Sequence, residues 1–241
     1  QGFSLSNRKR HSEDKRNYLF KEFIRIAKFI NPDAVILENV SGLASTKDGF
    51  FKKNISKAIS DLGFDVSFSL INSADYGSYQ ARKRVISGEI ISVNKIVAPQ
   101  PTNSNNPSSD LPRWNTLSGL LKVFPSPLSK ESDSIITDPI YISIKLKQSE
   151  LTDHFYDSGL YKSEWQQSKE LKTNHYCMGK MSFPENSDKP SRTITATKSG
   201  TSRESLIYNS EYNRDGNGEY RTPTIREAAS IMGFPFTYQF L

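Results

Sequence analysis

A single cysteine, Cys177, occurs in 241 residues. That excludes a disulfide within the chain and a cysteine-rich zinc site, and it fits a reducing, intracellular compartment. No apolar run approaches the roughly 18 to 20 residues that a membrane-crossing helix needs, and no signal peptide opens the chain, so a soluble, cytoplasmic protein is expected. There are no internal repeats and no initiator methionine; the basic, polar start from Gln1 to Arg10 reads as the middle of something longer. Hydrophobic residues are only 35% of the chain, yet its length still allows one large domain, or a domain plus a smaller one, with a real core. Thirty-two Lys and Arg against 26 Asp and Glu, a net +6, suit a polyanionic partner without requiring one.

What is present is organised around Asp33 to Val40. Four apolar residues, Ala34 to Leu37, opened by Asn31-Pro32 and ending abruptly at Glu38-Asn39, read as a short, fully buried parallel strand that delivers a carboxylate to the rim of a sheet. Leu19, Phe23, Ile26, Ala27 and Ile30 recur at three- and four-residue steps and predict a helix over about 15–30. Phe51, Ile55, Ala58, Ile59 and Leu62 predict a second, stopped by Gly63 where a left-handed cap is expected. Phe64, Val66, Phe68 and Leu70 alternate as a strand does. After a loop from Asn72 to Lys83 comes a strand over 85–91, too close for a helical crossover and therefore antiparallel to its neighbour. Helices alternating with strands make the fold class α/β.

From about residue 96 the texture changes. Prolines and scattered Asn and Ser make 97–135 irregular, apart from a short amphipathic piece at Thr116 to Val123. Ile140, Ile142, Ile144 and Leu146 alternate with Tyr141, Ser143 and Lys145 and predict one strand. Thr224 and Glu227 have the spacing of a capping box, opening a helix that ends at Gly233 before Pro235. The expected organisation is a first domain over 1–95, an irregular β-containing second over 96–205, and a return to the first over 206–241.

Several short segments, in order, resemble the DNA (cytosine-5) methyltransferases. Gln1-Gly2-Phe3-Ser4 resembles the tail of that family's nucleophile loop, and Asp14, Arg16 and Leu19-Phe20 resemble the segment directly after that loop. Glu38-Asn39-Val40 matches its Glu-Asn-Val signature, and Gln80-Ala81-Arg82-Lys83-Arg84 its Gln-x-Arg-x-Arg signature. Arg221, Thr224, Arg226-Glu227-Ala228-Ala229 and Gly233-Phe234-Pro235 match its late helix. Each match is weak alone; five in the correct order and spacing are specific.

The resemblance implies the carboxy-terminal half of a Rossmann-like, S-adenosylmethionine-dependent methyltransferase sheet, with a target-recognition domain in the second region. It implies methyl transfer to C5 of a cytosine flipped out of double-stranded DNA, in a restriction-modification setting. Because C5 is a poor nucleophile, a cysteine thiolate adds at C6, and a protonated carboxyl at N3 neutralises the charge that builds on the ring. Glu38 takes that carboxyl role, at a strand end where burial would favour its protonated form; Arg84 contacts the base O2, and Asn39 belongs to the same catalytic set. Arg82 reads as a phosphate contact or support for the active-site loop, and Gln80 as that loop's organiser; the bland alternative for the arginines is a solvated basic loop. Ser4, Ser6, Arg8 and Arg10 would grip phosphates, or else form a basic end of no function. Arg192, Thr193 and Thr195 suit backbone contacts to DNA, or simply a strand. Leu19 would line one wall of the cofactor pocket. No metal is implied.

The chain also departs from the family pattern. The nucleophilic cysteine is expected just before Gln1, and a Phe-x-Gly-x-Gly turn for the cofactor and a Gly-Asn-x-Val segment beyond Leu241 are missing. Cys177 reads as a structural thiol, and Tyr79 and Asn7 stand where the family usually has Pro and Gly. The expectation is a chain inactive alone, needing an amino-terminal part from a longer parent or a separate subunit. The alternative is a non-catalytic DNA-binding relic, or the recognition subunit of a split enzyme. An unrelated hydrolase is disfavoured, since no Ser or Cys sits in a strand-to-helix elbow.

Overall fold

The structure, a computed structural model, describes residues 15–46, 48–64, 66–90, 94–95, 98–174, 181–194, 207–209, 211 and 220–240. Two compact units form: residues 1–72 with 83–100, and residues 73–82 with 101–241.

In the first unit, a 3-10 turn (Lys15–Tyr18) leads into helix α1 (Phe20–Ile30). Asn31 ends the helix in a left-handed conformation, its N–H donating to the Ala27 carbonyl, a cap that Asn tolerates where most residues do not. Strand β1 (Ala34–Val40) follows, then the short helix α2 (Gly42–Ser45), helix α3 (Phe50–Ser60) and strand β2 (Ser67–Asn72). After β3 (Gln80–Ala81), which belongs to the second unit, come β4 (Lys83–Ile90) and β5 (Asn94–Lys95). Gly63 adopts φ +93°, and the Gly63 and Phe64 amides close the end of α3 on Ser60 and Ile59, as expected for this stop signal.

The sheet order is β1-β4-β2, and β4 runs antiparallel to both neighbours. The antiparallel expectation for β4 is met; that of a fully buried parallel β1 is not. Val35 and Leu37 on one face of β1 pack with Ala27, Phe51, Ile55 and Ile59, the last three spaced four apart on one face of α3. On the other face Ala34, Ile36 and Glu38 are exposed. Among the described residues, β1 has a strand on one edge only. The apolar arc of α1 is likewise wider than what it buries. Ala27 is buried, whereas Leu19, Ile26, Phe29 and Ile30 are exposed, Phe29 at 88%.

The second unit is built from short pieces. Helix α4 (Leu117–Leu121), capped by Thr116, appears where the amphipathic piece was expected. Strands β6 (Ile135–Thr137) and β7 (Lys145–Lys147) form a hairpin, followed by helix α5 (Lys162–Thr173), β8 (Ser191–Arg192), which pairs in parallel with β3, the β9 (Ile207–Tyr208) and β10 (Tyr220–Arg221) pair, and helix α6 (Ile225–Ile231). Of the strand expected through residues 140–146, Lys145 and Leu146 fall in β7, and residues 140–144 are instead the tip of the β6–β7 hairpin. Asp138 Oδ1 accepts the Ile140 and Tyr141 amides at 2.8 Å each, a local turn that outcompetes strand pairing. Helix α5 was not anticipated, because its buried face carries Trp165, Ser168 and Lys172, two of them polar.

Tyr79, Leu117, Leu120, Phe124, Ile136, Leu151, Ile231 and Phe236 make one apolar cluster. That cluster explains why the units divide the chain differently from the expected domains. Residues 73–82 and 220–240 contribute Tyr79, Ile231 and Phe236 to it, so both stretches belong to the second unit.

Candidate functional site

Strand register brings two sequence-predicted residues together. Glu38 lies opposite Ile86 and Val40 opposite Arg84, so Glu38 and Arg84 are diagonal neighbours on one face of the sheet. Their side chains meet, Arg84 Nε to Glu38 Oε1 at 2.7 Å, and Arg84 also donates from Nη1 to the Lys83 carbonyl at 2.8 Å. The carboxylate side chain is 46% exposed and the arginine side chain 20%. The desolvation expected at Glu38 is therefore not present: this is the open face of the sheet, away from α1 and α3. The result is an acid and a fork of N–H donors held side by side and reachable from solvent.

The other expected residues are placed differently. Asn39 points to the opposite face from Glu38, and its Oδ1 accepts the Val40 amide at 2.8 Å. Gln80 is buried; its Oε1 accepts the Ile194 amide and its backbone pairs with Ser191. That arrangement suits an organiser of the loop rather than a group in contact with substrate. Arg82 is half-buried at the foot of the same loop. Arg192 is bound by Glu185 through Nε and Nη2, at 2.8 and 2.6 Å to Oε2, and Thr193 donates to the Ala81 carbonyl. Leu19 stands exposed just before α1. Ser4, Ser6, Asn7, Arg8, Arg10, Cys177 and Thr195 lie outside the described residues. Leu19 by itself would supply one apolar wall and no hydrogen bond to S-adenosylmethionine. The described residues assigned to that cofactor do not make a site for it. Among the described residues no group of His, Cys, Asp or Glu could hold a metal ion.

The second unit holds a buried polar network that sequence reasoning did not anticipate. Thr224 Oγ1 accepts the Glu227 amide while Glu227 Oε2 accepts the Thr224 amide, the capping box expected from the spacing. Glu227 also takes two bonds from Arg221, at 2.6 and 2.8 Å, with side chains 1% and 5% exposed. Arg226 pairs with Asp153 at 2.8 Å and donates to the Phe236 carbonyl. His154, fully buried, bridges Thr224 Oγ1 and the Pro125 carbonyl and stacks on Phe124. Burial pushes its pKa below the ordinary 6.5; the Pro125 bond and nearby Glu227 oppose that shift. The Thr224–Glu227 spacing announced the cap, and Arg221 and Arg226 stood in the late-helix motif, but the Asp153–Arg226 and His154–Thr224 contacts join residues 70 or more apart in sequence and carried no local signal.

Comparison with known proteins shows the family through one family model. A model of the C-5 cytosine-specific DNA methylases matches residues 1–241. The chain is 27% identical over 243 residues to the type II methyltransferase M1.HphI of Haemophilus parahaemolyticus, covering all of this chain and 58% of that protein. It is 28% identical over 264 residues to the type II methyltransferase M.DdeI of Desulfomicrobium norvegicum, covering all of this chain and 61% of that one. The chain thus spans about three-fifths of these curated relatives. In fold it is similar to an E. coli prophage-encoded protein described as a DNA modification methyltransferase, with TM-score 0.53 and 18% identity over 95% of this chain and 67% of the other. No helix among the described residues is long and apolar enough to cross a membrane.

Proposed function

From the premise that the chain belongs to the C-5 cytosine-specific DNA methylase family, we propose that it forms part of an enzyme transferring a methyl group from S-adenosylmethionine to C5 of a cytosine in duplex DNA. The observation that carries this reading is the Glu38–Arg84 pair on the open sheet face. A cytosine ring presents N3 and O2 side by side, and a carboxyl beside a guanidinium is complementary to that edge. Glu38, once protonated, donates to N3 and draws off the negative charge that builds on the ring; Arg84 donates to O2 and fixes the ring's orientation. A base inside a duplex cannot reach an edge held this way, so it is extruded first, at a cost of a few kcal/mol that phosphate contacts offset. Arg82, Ser4, Ser6, Arg8, Arg10, Thr193 and Thr195 take those contacts in this reading. Arg192 suits the role least, because Glu185 already neutralises it. The second unit reads the target sequence.

The enzyme needs a further part, which brings the nucleophilic cysteine and most of the cofactor site. Two observations support this. The relatives are longer than the chain, and the first unit exposes Leu19, Ile26, Phe29 and Ile30 at and along α1, with Ile36 exposed on the open face of the sheet, more large apolar side chains than a solvated helix ordinarily shows. In the reading we favour, the setting is a restriction-modification system, in keeping with relatives that are named type II methyltransferases.

The test is methyl transfer. The complete methylase that contains this chain, given labelled S-adenosylmethionine and duplex DNA, is expected to place label on C5 of cytosine, and the chain alone none. Label on an exocyclic amino nitrogen contradicts the proposed site of transfer, and no label with the complete protein contradicts the proposal outright and leaves a DNA-binding relic as the better reading.

A further inference from the structure

The segment 73–82 is a closed loop whose two limbs are held from outside. On the first limb, the Asp75 carbonyl accepts the Thr102 and Asn103 amides, Trp114 Nε1 donates to Asp75 Oδ1 at 2.8 Å, and Asn115 donates to the Gly77 carbonyl at 2.7 Å. On the second limb, the Ser191 amide donates to the Tyr79 carbonyl at 2.8 Å, and the Ile194 amide to Gln80 Oε1. The foot of the loop is closed by one residue. The Ser73 amide donates to the Arg82 carbonyl at 3.0 Å, the Arg82 amide donates back to Ser73 Oγ at 3.2 Å, and Ser73 Oγ–H donates to the Gln80 carbonyl at 2.6 Å. The Ser73 carbonyl also accepts the Ser78 amide at 3.3 Å.

We propose that Ser73 is a positioning residue for methyl transfer: its hydroxyl clasps Gln80 and Arg82, so that Arg82 is presented in one orientation when DNA arrives. This rests on the reading of the chain as part of a cytosine-5 methylase. Both backbone polar groups of Arg82 go to Ser73, and the carbonyl that the hydroxyl serves belongs to Gln80, which is 3% exposed. Without the hydroxyl, a carbonyl of a buried residue and the Arg82 amide lose their partners together, and the strand leaving the loop must shift to recover them. The limbs hold the loop in place; the clasp decides where its last residue points. A hydroxyl is the one small side-chain group that donates and accepts at once, and the site uses both roles.

In the complete methylase, S73A is expected to lower kcat about ten-fold, with KM for S-adenosylmethionine unchanged, because two hydrogen bonds of ordinary strength are removed from the loop. Amide exchange at Arg82, followed in this chain, should quicken by about the same factor. S73T keeps the hydroxyl and should restore both. If S73A does not fold, S73C carries the test, since a thiol of similar size is a weak donor and acceptor. Full kcat and full protection at Arg82 in S73A, or a loss that S73T does not restore, overturns the proposal. A wild-type enzyme that puts no methyl on cytosine overturns the functional reading instead, and the exchange measurement still reports on the clasp.

Discussion

Two arginine–carboxylate pairs, one in each unit, have the same chemistry and opposite circumstances. Arg221 and Glu227 are buried, joined by two bonds, and both oxygens of Glu227 are in use, Oε2 accepting the Thr224 amide as well. Arg84 and Glu38 meet through a single oxygen on an exposed sheet face. On the proposed reading, the difference separates holding a fold from doing chemistry. A buried carboxylate committed to three donors is out of a ligand's reach, while one that has a single partner among the described residues and an open approach can exchange that partner for a base edge.

The largest effect expected from this contrast is on catalysis. E38Q in the complete methylase should cut methyl transfer by about 10²- to 10⁴-fold, the usual worth of a positioned acid. Affinity for duplex DNA should change by no more than about three-fold, and stability by less than about 1 kcal/mol, since the Glu38 carboxylate is nearly half exposed. The buried pair should behave in reverse. E227Q strands a buried guanidinium and should cost about 3–5 kcal/mol, read from the urea midpoint of the chain beside that of E38Q. Equal midpoints would erase the distinction between the pairs.

A smaller effect comes from His154. Its pKa is depressed in the folded state, so the folded chain takes up its proton later than the unfolded chain does as pH falls. The associated stability is complete above the ordinary value of 6.5 and is lost progressively below it, through to the depressed folded value. Denaturation midpoints across that range should show the decline, and H154Q should flatten it. The smallest expected effect is at Arg192. Loss of one phosphate contact lowers the salt dependence of DNA binding by about one unit of log-log slope. With its charge already taken by Glu185, R192Q should leave that slope unchanged.

The elements that sequence revealed were those whose signal is local. The Thr224–Glu227 cap, the Thr116 start of α4 and the Gly63 stop each depend on residues a few positions apart. Glu38 and Arg84 were legible as motifs, but their meeting depends on a register that only strand pairing sets. Four alternating apolar residues from Ile140 suggested a strand; Leu146 does lie in β7, but Asp138, two residues before Ile140, folds the start of the run into a turn. In α5, helical period was masked because Ser168 and Lys172 occupy its buried face. Ser73 carried no signal at all: its three partners within the loop become neighbours only when 73–82 closes on itself.

The central claim is that the Glu38 carboxyl acts on the ring nitrogen of the target cytosine. A double-substitution cycle tests it directly, pairing wild-type and E38Q methylase with duplexes whose target is cytosine or 3-deazacytosine, in which N3 is replaced by C–H. Each change alone should slow methyl transfer by about 10²-fold or more, and both together should be little worse than either, because they remove the same interaction. Losses that multiply, or an E38Q enzyme as fast as wild type on cytosine, would show that Glu38 does not work through N3.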